Sequence, residues 1–183
     1  MKKIRLSYTL ISTFLRNADK NKVIECYLRM DNYETVDMKR GKDFDLYTEA
    51  EVKKTNALPK ELGSIKLNKP VPKLQVTVSY NNLFDIKIET DFWDDPDIIE
   101  IKNSRVRDSA DFVTDLQLSL YFLVLELAGY HPKRARLYRY NPIYKDYDMA
   151  IVYRSQRRID EARRKVEEAG PKIYKLLQEA GII

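Results

Sequence analysis

The sequence predicts an α/β protein with a central mixed β-sheet flanked by helices. Three observations predict it. Short runs of alternating apolar and polar residues cluster between positions 74 and 102. A stretch apolar on nearly all sides follows them, and two more strand-like runs come after it. The order is therefore helices, three strands, a buried helix, two strands and a terminal helix. The 183 residues suit one domain: N-terminal helices over 1–56, a sheet and buried-helix core over 72–153, and a C-terminal helix over 155–183.

Each element has its own signal. Residues 7–31 read as helix, with Ser7 as cap and Leu10, Phe14, Val23, Tyr27 and Met30 as an interrupted apolar stripe. Asn17-Ala18-Asp19 divides that helix in two. Residues 37–54 form a second, polar helix, weakly amphipathic through Phe44, Leu46, Tyr47 and Val52. Pro59 to Pro72 is loop, punctuated by Gly63 and Pro70. Leu74, Val76 and Val78 mark a half-buried strand, and Asn81-Asn82 the turn after it. Phe84, Ile86, Ile88 and Thr90 alternate with Asp85, Lys87, Glu89 and Asp91, giving a strand with one charged face. Asp94-Asp95-Pro96 is the next turn and residues 98–102 the next strand. Ser109 to Ala128 is a central, buried helix closed by Gly129. Ala135 to Tyr140 and Tyr147 to Tyr153 are strands joined at Asn141-Pro142. The terminal helix carries Ile159, Ala162, Val166, Ala169, Ile173, Leu176 and Ala180 on one face. Gly170-Pro171 is expected to break or kink it. Its stripe could pair two copies, although packing on its own domain is the simpler use.

Composition narrows the class. The single cysteine, Cys26, makes no internal disulfide and no Cys-ligated zinc or iron–sulfur site, and is expected in the core. An apolar fraction of 44% with 11% aromatics excludes a disordered chain. No apolar run reaches the ~18 residues of a membrane span, and the start, Met1-Lys2-Lys3-Ile4-Arg5, is too polar for a secretory signal. A soluble, cytoplasmic protein is expected. Abundant Lys, Glu, Ile and Tyr lean towards a thermophilic source. Lys and Arg number 33 against 28 acids, a net charge of +5. Asp85, Glu89, Asp91, Asp94, Asp95, Asp97 and Glu100 face only Lys87 within their own stretch, while Lys133, Arg134, Arg136, Arg139 and Lys145 occupy a stretch without acids. An acidic cluster beside positive surface suits a metal-dependent enzyme acting on a polyanion; solvated loop charges are the other explanation.

The chemistry sits at Asp91 and Glu100-Ile101-Lys102. A hairpin around Asp95-Pro96 brings Asp91 beside Glu100, and strand alternation puts Glu100 and Lys102 on one face. Two adjacent carboxylates call for a cation, and magnesium or manganese, hard ions with oxygen ligands, fits them. Such an ion activates water and neutralises charge on a phosphate oxygen; Lys102 would stabilise that charge or orient the water. An ordinary cross-strand ion pair is the alternative for Glu-x-Lys taken alone.

Four segments then fall in a telling order: Ser7-Tyr8-Thr9-Leu10-Ile11-Ser12-Thr13-Phe14-Leu15-Arg16, Gly41-Lys42-Asp43-Phe44-Asp45, Ile88-Glu89-Thr90-Asp91 with Ile99-Glu100-Ile101-Lys102-Asn103-Ser104, and Gln117-Leu118-Ser119-Leu120-Tyr121. Together they resemble the PD-(D/E)XK nuclease superfamily, specifically its RecB-type branch that includes CRISPR-associated RecB-like exonucleases. The matching elements there are a Ser-rich opening helix, a Gly-x-x-apolar-His element, the catalytic strand pair and a QxxxY helix. The resemblance implies a restriction-endonuclease-like core and a divalent-metal-dependent deoxyribonuclease using Mg or Mn. It also implies an exonuclease acting on single-stranded DNA ends, in an archaeal or viral setting. Asp91 and Glu100 would be metal ligands, Ile101 would lend its carbonyl and Lys102 would be the catalytic lysine. Gln117 and Tyr121, four apart on one helix face, would hold the substrate strand or position Lys102.

The departures are specific. Asp45 stands at the histidine position and becomes a candidate metal ligand. Glu89 replaces the glycine before the catalytic aspartate and adds another candidate. Asn17 stands where the first cluster cysteine is expected, so no iron–sulfur cluster is predicted. Pro96-Asp97 imitates the literal motif, but Asp97 is too near Glu100 in sequence to face it across a hairpin. A degraded, non-catalytic module binding nucleic acid or a protein partner is the rival reading, and RNA the alternative substrate. Lys53, Lys54, Lys66, Arg105, Arg107 and the bases after Pro132 could line a groove for the backbone. Tyr138, Tyr140, Tyr144 and Tyr147 could stack bases. His131 is a lone loop histidine with no assigned part.

Overall fold

Ile4 and Leu6 are buried with exposed Arg5 between them, an alternation too short to register in the sequence, and they form the first strand, β1 (Ile4–Leu6). The structure, a computed structural model, describes residues 3–17, 19–29, 36–103 and 116–183. The expected N-terminal helix is two helices, α1 (Tyr8–Asn17) and α2 (Lys20–Leu28). Ser7 Oγ accepts the Leu10 N–H at 3.3 Å, and Asp19 caps α2 by accepting the Asn21 N–H at 3.0 Å. Helix α3 is Val36–Thr55. The segment expected as plain loop contains a 3₁₀ turn, Lys60–Leu62, and a two-residue strand, β2 (Val71–Pro72).

Strands β3 (Gln75–Ser79) and β4 (Phe84–Glu89) are joined where Asn81 Oδ1 accepts the N–H groups of Leu83 and Phe84. The continuous strand expected through Asp91 instead ends at Glu89. The chain then enters a different sheet as β5 (Phe92–Asp94) and returns as β6 (Asp97–Asn103). Helix α4 (Leu116–Leu127) follows, with Gly129 at φ 85° after it. The expected helical positions 109–115, and with them Arg105 and Arg107, lie outside the described residues, as does Met30. Strands β7 (Arg134–Asn141) and β8 (Asp146–Tyr153) and helix α5 (Gln156–Glu179) complete the chain.

The strands form two mixed sheets. One has the order β1-β4-β3, with β1 parallel to β4; the other has the order β2-β5-β6-β7-β8, with β6 parallel to β7. The main core joins β1, β4 and β3 to α1, α2, α4 and α5 through residues such as Leu10, Phe84, Ile86, Phe122, Val124 and Val166. A smaller core, with Val52, Leu62, Phe92, Ile99, Ile101 and Tyr138, covers the other face of the larger sheet under α3 and the 3₁₀ turn.

Helix α5 corrects the expected break: it runs unbroken through Gly170-Pro171. Pro171 is exposed, so only one backbone bond is lost, and the buried stripe of Ile159, Ala162, Val166, Ala169 and Ile173 continues past it on its own domain. Among the described residues no helix is long and apolar enough to cross a membrane.

Candidate active site

Thr90 and Asp91 are the step by which the chain leaves one sheet for the other. Both are gripped by the segment before β3: Thr90 N–H donates to the Leu74 carbonyl at 3.1 Å, and Lys73 N–H to the Asp91 carbonyl at 2.9 Å. In the β5–β6 hairpin Phe92 opposes Ile99, so Asp91 and Glu100 are the next pair outward. No further backbone pairing follows there. Asp91 Oδ2 instead accepts the Ile101 N–H at 2.7 Å, a side chain taking the place of a strand carbonyl. A strand residue's N–H and C=O leave on the same edge, so the Ile101 carbonyl points to the edge Asp91 occupies.

Glu100 is 3% exposed. Its Oε1 accepts from Gln117 Nε2 at 2.8 Å and from Lys102 Nζ. Its Oε2 is buried and has no hydrogen-bond partner among the described residues. Burial first, and the charge of Asp91 second, push the carboxyl up to about 7 against the pull of Lys102 and Lys73. Gln117 Nε2 also donates to Tyr121 Oη at 2.6 Å, and that hydroxyl donates to the Glu89 carbonyl at 2.7 Å. The two α4 side chains thus tie the Glu100 carboxylate to the end of β4. Burial, then Glu100, holds the Tyr121 hydroxyl well above its ordinary range.

Asp45, on α3, lines a cleft with Thr48, Lys73, Asp91, Phe92 and Ile101. Burial, then Asp91, raises its carboxyl to about 6. Lys73 stands between the two acids, its Nζ 3.1 Å from Asp91 Oδ1 and 3.9 Å from Asp45 Oδ2. Burial draws the ammonium down, but Asp91, Asp45 and Glu89 outweigh it and the group is raised. Nothing in the sequence around Lys73 or Thr48 marks either as a site residue. Neither belongs to a spaced motif, and both arrive by tertiary approach.

The structure brings together Asp91, Glu100, Ile101, Lys102, Gln117 and Tyr121, with Asp45 beyond Lys73. Other expectations change. The Glu89 carboxylate accepts from Gln75 Nε2 at 2.5 Å across the β3–β4 pair instead of turning inward. Asp97 lies across the hairpin tip from Asp94 and pairs with Arg134 and Arg136. The basic run does not form an open groove at its arginines: the parallel β6–β7 register sets Arg134 beside Asp97, Arg136 binds Asp94 and Asp97, and Arg139 binds Asp148. Tyr138 is 1% exposed and Tyr140 stacks on Phe44 at 5.1 Å, so neither offers a free ring; Tyr144 and Tyr147 are exposed. Cys26 is half-buried against the core, and burial raises its thiol.

Among the described residues no three acidic, histidine or cysteine side chains converge as a ready-made ion cage. Magnesium does not require one: one or two carboxylates with water and substrate oxygens suffice. The available donors are all oxygens, and the orphaned Glu100 Oε2 is the kind of buried atom that an ion satisfies.

No protein-family model matches this chain, and neither does any curated protein. Solved structures do match. An alkaline exonuclease from Laribacter hongkongensis (LHK-Exo) superimposes with a TM-score of 0.57 at 13% identity, covering 97% of this chain and 93% of that one. LHK-Exo in complex with dAMP gives 0.58 at 14%, over 98% and 93%. A phage-related exonuclease from Haemophilus somnus 129PT gives 0.55 at 14%, over 98% and 96%. The two mixed sheets with flanking helices are therefore a fold shared with these exonucleases.

Proposed function

We propose that this protein is a divalent-metal-dependent deoxyribonuclease of the RecB type, without an iron–sulfur cluster, acting as an exonuclease on single-stranded DNA ends in the cytoplasm. One observation carries the proposal: Glu100 receives Lys102 and Gln117 on one oxygen and keeps its other oxygen buried, with no partner among the described residues, next to Asp91. The exonuclease fold of the solved neighbours supports it, and LHK-Exo is known with dAMP. Asp91, Glu100 Oε2 and the Ile101 carbonyl would hold magnesium or manganese, with Asp45 at the margin. When bound, the ion supplies charge neutralisation at a phosphate oxygen and activation of water. Lys102 holds its ammonium at Glu100 and presents it to the negative charge that builds on the phosphate. Gln117 and Tyr121 are positioning residues: Gln117 donates to Glu100 Oε1, and Tyr121, tied to the Glu89 carbonyl, holds Gln117 in place.

The test uses end-labelled single-stranded DNA with manganese, then with chelator. Lys102→Ala is expected to lower the rate about a hundredfold or more, the scale of losing one transition-state donor, while circular dichroism stays that of the wild type. Cleavage unchanged by chelator or by that substitution overturns the proposal.

A second reading is a nuclease-fold module that binds nucleic acid or a protein without cutting. It is favoured by Asp45 in place of histidine and by lysines already seated on both acids. Such a module would bind DNA with steep salt dependence and leave it intact in every metal tried. RNA in place of DNA is tested in the same assay, and the number of copies in the active assembly by sedimentation.

A further inference from the structure

Lys73 has a geometry that its sequence context does not require. It is a non-glycine residue at φ 49°, in the left-handed region that ordinary side chains avoid. Its backbone N–H is fixed to the carbonyl of Asp91 at 2.9 Å, and its ammonium returns to the carboxylate of the same residue at 3.1 Å. The side chain also reaches Asp45 at 3.9 Å, in the cleft those acids share with Ile101. Strained backbone persists where the surroundings over-determine it, and such places gather at functional sites. A surface ion pair would need no such anchoring.

Two partly buried carboxylates without a cation would repel each other and lose their hydration. A lysine held between them removes both penalties while the protein is free of metal. The same ammonium then neutralises Asp91 at Oδ1, the carboxylate oxygen that the Ile101 N–H leaves for a divalent ion.

We propose that Lys73 is a placeholder cation: it occupies the position between Asp45 and Asp91 in the metal-free protein and is expelled when a divalent ion binds Asp91, so it sets the metal affinity of the site. The idea rests on the metal-dependent nuclease reading for its purpose, but not for its test.

The test is manganese binding to the intact protein without DNA, measured by calorimetry and by the electron spin resonance of free manganese. Lys73→Gln removes the competing charge and is expected to tighten binding about tenfold or more, the scale on which residues around a metal site alter affinity. Lys73→Arg keeps the charge and is expected to stay within about threefold of wild type on that same scale. Lys73→Asn, which tolerates the left-handed backbone better, serves if the Gln variant folds poorly, and is also expected to bind more tightly. Affinity that is unchanged or weaker in both neutral variants, or no manganese binding by any of the proteins, overturns the proposal. The two ideas fail separately. Tighter binding by Lys73→Gln in a protein that never cuts DNA defeats the nuclease reading alone. Manganese-dependent cutting by a wild type whose Lys73→Gln variant binds no tighter defeats the placeholder alone.

Discussion

Glu100 combines a strand position, near-complete burial and one oxygen with no partner among the described residues, and its acidity follows from its burial. Burial, with the charge of Asp91 beside it, pushes Glu100 up to about 7 and Asp45 up to about 6, against the pull of the nearby lysines. A raised acid keeps in the fold a proton that the unfolded chain has already lost. The stability it contributes is complete below the ordinary range and disappears as pH rises through about 6 and 7. Thermal melts in chelator are therefore expected to show wild type losing stability relative to Glu100→Gln between about pH 5 and about pH 8. Manganese should reverse the trend in wild type, because its ligands must be ionised. Equal pH slopes for the two proteins would count against the placement of Glu100. Asp91, Glu100 and Lys102 were legible in the sequence because alternation and a two-residue turn fix their relation locally. Lys73 was not, because its approach depends on a backbone turn that no neighbouring glycine or asparagine announces.

Among the elements, α5 shows packing overruling local propensity. The Gly170-Pro171 pair reads as a break, yet Pro171 faces solvent while Gly170 lies against the smaller sheet. A Cβ at Gly170 would sit 2.6 Å from two ring carbons of Phe84 and 3.2 Å from Leu6 Cδ1. Alanine in place of glycine ordinarily gains up to ~1 kcal/mol in a helix; overpacking loses ~1–3 kcal/mol. The rigid aromatic ring decides for the second. Gly170→Ala is expected to lower the melting temperature, and adding Phe84→Leu to recover part of the loss, since contacting sites couple. Most elements announced themselves through periodicity, as β3, β4 and α5 do, and α4 through an apolar run on nearly all sides. The exceptions have other causes: β1 and β2 are too short to repeat a pattern, and the division of β4 from β5 is invisible because Phe92 continues the alternation across Thr90 and Asp91.

Across the whole molecule, the acidic stretch and the basic stretch neutralise each other. Strands β6 and β7 run parallel in a register that opposes Asp97 with Arg134, and Arg136 reaches both Asp94 and Asp97. Composition made both stretches legible but not their pairing, because register between distant strands is a property of the folded sheet. Asp94 and Asp97 are each 4% exposed, so removing their partner leaves buried charge uncompensated. Arg136→Met is expected to reduce stability by about 3 kcal/mol, the lower end for breaking a buried pair, as read by urea denaturation. A change under about 1 kcal/mol would mean that Arg134 and the Asn68 and Lys69 amides, which bind Asp94, already suffice. Thr90 and Asp91 also join the two sheets, so the seam of the architecture and the proposed ion position coincide. An ion held there would rivet one layer to the other, and any breathing between the layers would pull at its coordination before disturbing either layer's interior.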